Sequence, residues 1–190
     1  MSLLTLYAVA SANSAPKIIK QFNDFKDIHE ALKSINVRFE RWTTHDNSTA
    51  NAADDTILAA YKDAIEHLQT QHQFQSMDII RVTPAHPEKR QLRQKFLAEH
   101  THNDFEIRFF IQGCGLFYLH VQDTVFAVLC EQNDLISVPA MTPHWFDMGA
   151  EPNFTTLRFF TTDEGWVADF TGDTLANAYP TLEQTRASIL

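Results

Sequence analysis

Apolar and polar positions repeat in two rhythms along this chain, and the change falls near residue 100. Before it, helical periods dominate. Phe25, Ile28, Leu32 and Ile35 recur every three or four residues, which predicts a helix over 24–35 with Asn23 or Asp24 as its cap. Ile57, Leu58, Tyr61, Ile65 and Leu68 predict a second over 54–73. A charged segment over 87–99, with Pro87 suited to a first turn and Leu92, Phe96 and Leu97 on one side, predicts a third. Strand texture appears over 37–42 and 77–82, and the apolar start of the chain reads as an entry strand. After residue 100 the pattern becomes short strands, over 106–111, 116–121, 125–130, 136–138, 144–148 and 154–160. Gly113, Gly115, Gln122-Asp123 and Glu151-Pro152-Asn153 punctuate them. Many short strands at such spacing predict a sandwich or barrel. The expected architecture is one domain with an all-β core and flanking helices. Residues 1–99 pack on that core, 100–165 form it, and 166–190 close the chain.

Composition narrows the class. With 190 residues, 44% hydrophobic content and 15 phenylalanines, the chain can bury a sizeable core. A net charge of −9 argues against a nucleic-acid partner, whose phosphates reward clustered lysine and arginine. Only Cys114 and Cys130 occur, so no disulfide framework is expected and a reducing cytoplasm is the natural setting. No apolar run approaches the ~20 residues that span a bilayer, so a soluble protein without a membrane partner is expected.

The chemistry concentrates in one stretch, His100-Thr-His102-Asn-Asp-Phe-Glu106-Ile-Arg108. In an extended chain, residues of equal parity share a face, so His100, His102, Glu106 and Arg108 would point the same way. A His-x-His pair alone is equally well read as two surface histidines. Glu106 on the same face, Gly113 at hairpin distance and a further histidine, His144, after a proline-bounded strand shift the balance towards a metal site. Three imidazoles and one carboxylate suit iron(II), nickel(II), manganese(II) or cobalt(II) better than a thiolate-rich structural zinc site. Arg108 beside them could hold an anionic substrate. The other histidines (His29, His45, His67, His72, His86 and His120) lack partner spacing and read as surface residues, although the parity of His120 could take it inward.

These segments resemble the paired motifs of the cupin superfamily, a double-stranded β-helix that binds metal inside its jelly-roll barrel. More narrowly, the chain resembles the acireductone dioxygenases of methionine salvage. The resemblance rests on His100-Thr-His102, Glu106-Ile-Arg108-Phe-Phe, Gly115-Leu-Phe, Asn133-Asp-Leu-Ile-Ser-Val-Pro139, Pro143-His-Trp-Phe-Asp-Met148 and Glu164-Gly-Trp-Val-Ala-Asp-Phe-Thr-Gly172. It implies one Fe(2+) or Ni(2+) per chain, held by His100, His102, Glu106 and His144. It also implies O2 and 1,2-dihydroxy-3-keto-5-methylthiopentene as substrates. The iron form would give 4-methylthio-2-oxobutanoate and formate; the nickel form would give 3-methylthiopropanoate, formate and CO. Arg108 would stabilise the substrate dianion, with Arg158 as a second cation and Phe146 and Trp145 as candidates for the pocket wall. Glu99 matches a position tied to metal loading.

The chain departs from the patterns it resembles at four places. Gln94, Asn133 and Met141 stand where the general cupin pattern has glycine. Phe105 replaces an acidic residue to which a conformational relay is ascribed, so that role is in doubt here. A closed barrel has no obligatory edge to pair, so a monomer is expected. A non-catalytic ligand-binding cupin and a cupin-type sugar isomerase are the alternatives the sequence leaves open.

Overall fold

The computed structural model describes residues 1–10, 15–42, 52–72, 74–162, 165 and 167–189. Two antiparallel sheets face each other. One has seven strands in the order β12-β5-β10-β7-β8-β1-β2, and the other five in the order β3-β9-β6-β11-β4. The strands are β1 Leu3–Ala8, β2 Lys17–Phe22, β3 Arg38–Arg41, β4 Ser76–Val82, β5 His100–Thr101 and β6 Glu106–Gln112. They continue as β7 Cys114–Val121, β8 Thr124–Glu131, β9 Asp134–Val138, β10 His144–Asp147, β11 Phe154–Phe160 and β12 Asp169–Phe170. The helices are α1 Phe25–Lys33, α2 Asp54–Ala60, α3 Lys62–His72, α4 Lys89–Leu97 and α5 Leu182–Ala187, and a 3₁₀ turn spans Leu175–Ala178. The all-β core with flanking helices expected from the sequence is what forms, a jelly-roll of cupin type.

The strands β6 to β11 read as nearly continuous apolar runs because both of their faces are covered. Phe110, Phe117, Leu119, Val128, Ile136, Phe146 and Phe154 fill the space between the sheets. On the outside of the five-stranded sheet, Ile107, Phe109, Ile111 and Leu157 pack under Ile57, Tyr61 and Leu68 from α2 and α3. On the outside of the seven-stranded sheet, Leu116, Tyr118 and Trp145 pack under Tyr179 and Leu182. Truncating a fully buried ring such as Phe146 would cost about 3–5 kcal/mol.

Local signals set the element ends. Asp24 caps α1 by accepting hydrogen bonds from Lys26 N and Asp27 N at 2.9 and 3.3 Å. The predicted helix over 54–73 is two helices with a bend at Tyr61, whose ring meets Phe109 edge-on at 5.0 Å. Gly113 turns β6 into β7 at φ +78°, a conformation that side chains resist. Gly115 is needed for space, since a Cβ there would overlap the Phe146 ring. Two of the residues in cupin glycine positions, Asn133 and Met141, adopt the left-handed backbone that glycine would supply, at φ +75° and +61°. Gln94 lies inside α4 and does not.

Candidate metal centre

The chain from His100 to Arg108 is not one strand. His100 belongs to the seven-stranded sheet and Glu106 to the five-stranded sheet, and residues 102–105 cross between them. The expectation of a single extended face is therefore corrected. The side chains converge because the two sheets face each other. His144 pairs directly with His100 across β10 and β5, which sets their rings 4.4 Å apart. His102 lies 5.1 Å from His100 and 5.4 Å from His144. One donor atom from each of His100, His102, Glu106 and His144 lies within 4.8 Å of all the others, and all four residues are buried.

Each imidazole is oriented the same way. The Nδ1 atoms of His100, His102 and His144 sit 2.8, 2.7 and 2.7 Å from the carbonyl oxygens of Ala98, Val167 and Thr142. A carbonyl only accepts, so each Nδ1 carries the proton and each Nε2 offers its lone pair to the centre. His144 Nε2 stands 3.0 Å and His102 Nε2 3.7 Å from Glu106 Oε2. Acceptors facing a carboxylate call for positive charge between them. With bonds of roughly 2.1 Å, donors on opposite sides of a cation lie about 4.2 Å apart, so the cluster has the span of one ion.

Burial pushes His100 down to about 4, reinforced by its neighbour His144. Burial also lowers His102. For Glu106, burial acts upward, but the Arg108 guanidinium and the neighbouring histidines outweigh it and hold the carboxyl well below its usual range. At neutral pH His100 and His102 are thus neutral imidazoles and Glu106 a carboxylate, the forms that bind metal. A depressed imidazole has a defined consequence for the metal-free protein. Between pH 6.5 and about 4 the unfolded chain holds the His100 proton and the folded chain does not, so stability falls as pH falls through that window. Glu106 adds a loss in the same direction at lower pH. Lowering pH from 7 to 5 should cost about 2 kcal/mol, or roughly 4–8 °C in melting temperature. Thermal melts of metal-free protein check this; a melting temperature unchanged between pH 7 and 5 would contradict it.

Arg108 is 4% exposed and donates from Nε to Glu106 Oε1 at 2.6 Å. Its guanidinium carbon lies 4.8, 5.4 and 5.7 Å from the ring centres of Phe146, Phe117 and Phe96. Its Nη1 is buried without a hydrogen-bond partner among the described residues. A cavity of about 380 Å³ opens beside it, walled by Ile80, Val82, Leu92, Phe96 and Phe170 and reaching His100, His102 and Arg158. A larger cleft of about 870 Å³ opens near Gly113 and Glu151, at the other end of the strands, and includes none of the four donors.

The other candidates fall in varied places. Arg158 faces the same cavity, but Asp78 holds it through two hydrogen bonds of 3.0 and 2.6 Å. Phe146 packs on Arg108, inside the core, whereas Phe96 of α4 lines the cavity. Trp145 turns to the opposite face of β10 and stacks on Tyr118 at 4.9 Å. Glu99 is buried beside His100 and accepts from His120 Nδ1 at 3.1 Å and Thr171 Oγ1 at 2.9 Å. Phe105 is 39% exposed and Met141 60% exposed. Of the histidines read as surface residues, His120 is half-buried on Glu99 and His86 lines the cavity, its Nδ1 accepting from Glu88 N at 3.2 Å. His45, and Glu164 and Trp166 of the resembling motif, lie outside the described residues, as does the side chain of His72.

Comparison with known proteins agrees with this geometry. The ARD/ARD′ family matches residues 5–168. The chain is 51% identical over 182 residues to an acireductone dioxygenase of Klebsiella pneumoniae, covering 96% of this chain and 99% of the relative. It is 52% identical over 183 residues to one of Methylococcus capsulatus, covering 96% of each. Among solved structures, an acireductone dioxygenase from Bacillus anthracis with a cadmium ion in its active centre superposes with a TM-score of 0.76. It shares 26% identity and covers 90% of this chain and 98% of its own.

Proposed function

The chain belongs to the acireductone dioxygenase family and is a metal-dependent dioxygenase, and from that premise we propose its substrate, metals and products. The substrate is 1,2-dihydroxy-3-keto-5-methylthiopentene, cleaved by O2 within methionine salvage in the cytoplasm by a monomer. The metal is one Fe(2+) or Ni(2+) ion per chain, held by His100, His102, Glu106 and His144. Membership of the family sets aside the ligand-binding cupin and the sugar isomerase.

The observation that carries this reading is the convergence of donor atoms from three imidazoles and one carboxylate within 4.8 Å of one another, with every Nδ1 tied to a carbonyl. When bound there, a divalent cation would supply Lewis acidity and a template for chelating two adjacent oxygens of an ene-diol. The chain's own residues do the rest. The three carbonyl bonds lock ring orientation and keep the imidazoles in the donating tautomer. Arg108 lines the cavity and gives Nε to Glu106, while its buried Nη1 has no partner among the described residues, which leaves a donor to hold a substrate oxygen as negative charge develops. Arg158 adds a second cation on the cavity wall. Ile80, Val82, Leu92, Phe96 and Phe170 offer an apolar surface to a methylthio tail and limit water around the reacting carbons.

Both metals would use the same donors, so metal identity alone should decide the products. Metal-free protein reloaded separately with Fe(2+) and Ni(2+) is expected to give 4-methylthio-2-oxobutanoate and formate with iron. With nickel it should give 3-methylthiopropanoate, formate and carbon monoxide. Identical product sets from the two preparations would refute this.

A further inference from the structure

We propose that Asp104 is a positioning residue of the metal centre, one whose carboxylate pins the crossing between His102 and Glu106 to the end of β11 and so fixes how far apart those two ligands stand. The proposal rests on the metal-binding reading above.

The crossing is where the site is mechanically exposed. Residues 102–105 leave one sheet and enter the other, so strand pairing does not hold them. His102 O accepts from Met141 N at 2.8 Å. Asp104 supplies the other anchor. It is 4% exposed, and the donors around it are neutral. Its Oδ2 accepts from the backbone N–H groups of Thr161 and Thr162 at 2.6 and 2.9 Å, with the Thr162 hydroxyl further off at 3.4 Å. Its Oδ1 accepts from the Thr161 hydroxyl at 2.5 Å and from Phe105 N at 2.7 Å. Asp104 is not one of the four converging donors. Apart from the one from Phe105 N, its bonds come from the chain that follows β11.

That chain returns to the metal site. Val167, five residues beyond Thr162, provides the carbonyl that orients His102, and the Phe160 ring lies 6.2 Å from the His102 ring. Between them, Gly165 is packed so tightly that a Cβ there would lie 2.6 Å from Asp104 Oδ2 and 2.8 Å from Phe160 Cβ. Asp104 therefore ties the stem of both ligands to the segment that orients one of them. Asparagine cannot replace it, because its NH₂ group would either face the two backbone N–H donors or give up the Oδ1 bonds.

The test compares metal-depleted wild type, Asp104→Asn and the milder Thr161→Val, which removes one hydroxyl donor and keeps both amides. Each is titrated with Co(2+) by calorimetry and by visible absorption, and each metal-free protein is melted. The wild type should bind one ion per chain. Asp104→Asn should bind it about 10–100-fold more weakly, with a shifted cobalt absorption band, and Thr161→Val should shift both in the same direction by less. A variant that melts lower yet, once folded, binds cobalt with wild-type affinity and an unshifted band would overturn the proposal, since a merely structural carboxylate would behave that way. If Asp104→Asn does not fold, Thr161→Val decides by the same two readouts. A wild type that binds no cobalt at all would instead overturn the metal-centre reading, and this proposal with it.

Discussion

Glu106→Ala and His102→Ala should each abolish tight metal binding and dioxygenase turnover together. The two residues remove different things. Glu106 is the anionic donor, and its Oε2 lies nearest the Nε2 atoms of His144 and His102 while Oε1 receives Arg108. Its loss takes the negative charge from the centre and leaves the Arg108 guanidinium buried without its partner, a change that costs about 3–5 kcal/mol in stability. Glu106→Gln keeps the volume and separates the two effects. Losing His102 leaves the Val167 carbonyl without its donor and opens one coordination position. Replacing groups that merely orient a ligand costs about 10–100-fold in metal affinity, so losing a ligand should cost more. Added metal should raise the melting temperature of the wild type by binding the folded state. Neither variant should respond at the same metal concentration. A normal thermal response to metal in Glu106→Gln would exclude it as a donor.

Arg108→Ala is expected to separate binding of the metal from chemistry. The four donors stay in place, so the variant should still take up one ion per chain. What disappears is the buried donor edge whose Nη1 has no partner among the described residues. Removing a comparable hydrogen-bond donor from a developing negative charge lowers kcat by about 100–1,000-fold, and that is the predicted loss. Lysine should rescue little, because a point charge cannot bond Glu106 and the cavity at once through a planar fork, nor stack among Phe96, Phe117 and Phe146. Metal analysis and steady-state oxygen uptake on the same sample check both halves. Wild-type turnover in Arg108→Ala would remove it from the mechanism.

The ligand set was legible because its residue types are chemically specific, and His100, His102, Glu106 and His144 do converge. Their convergence does not come from strand parity alone. Parity along a single strand places them on one face, but the chain breaks strand pairing at 102–105 and changes sheets. Residues of equal parity still meet because the interior of a two-sheet fold is common to both. Phe96 shows the limit of periodicity, which marks a side as buried without saying what it is buried against. It proved to face the cavity, with Arg108 beyond it.

Other elements escaped for local reasons. β2, Lys17–Phe22, is an outer strand whose residues are almost all exposed, so it carries no alternation to detect. α5 carries only a local signal. Thr181 and Gln184 form a capping box at a short helix whose apolar face is small. His120 looked isolated because its partner Glu99 lies 21 positions away. The left-handed backbone at Asn133 and Met141 agrees with the glycines expected there, so the departures are in residue type and not in geometry.

The proposed oxygen chemistry requires one cation held by four donors. Metal-free protein titrated with Fe(2+) under acireductone and O2, with oxygen consumption followed at each addition, tests this most directly. Uptake should rise linearly with added iron, level off at one equivalent per chain, and be absent in Glu106→Gln. Oxygen consumption that is as fast in the metal-free protein as in the loaded one, or that is missing after one full equivalent has bound, would contradict it.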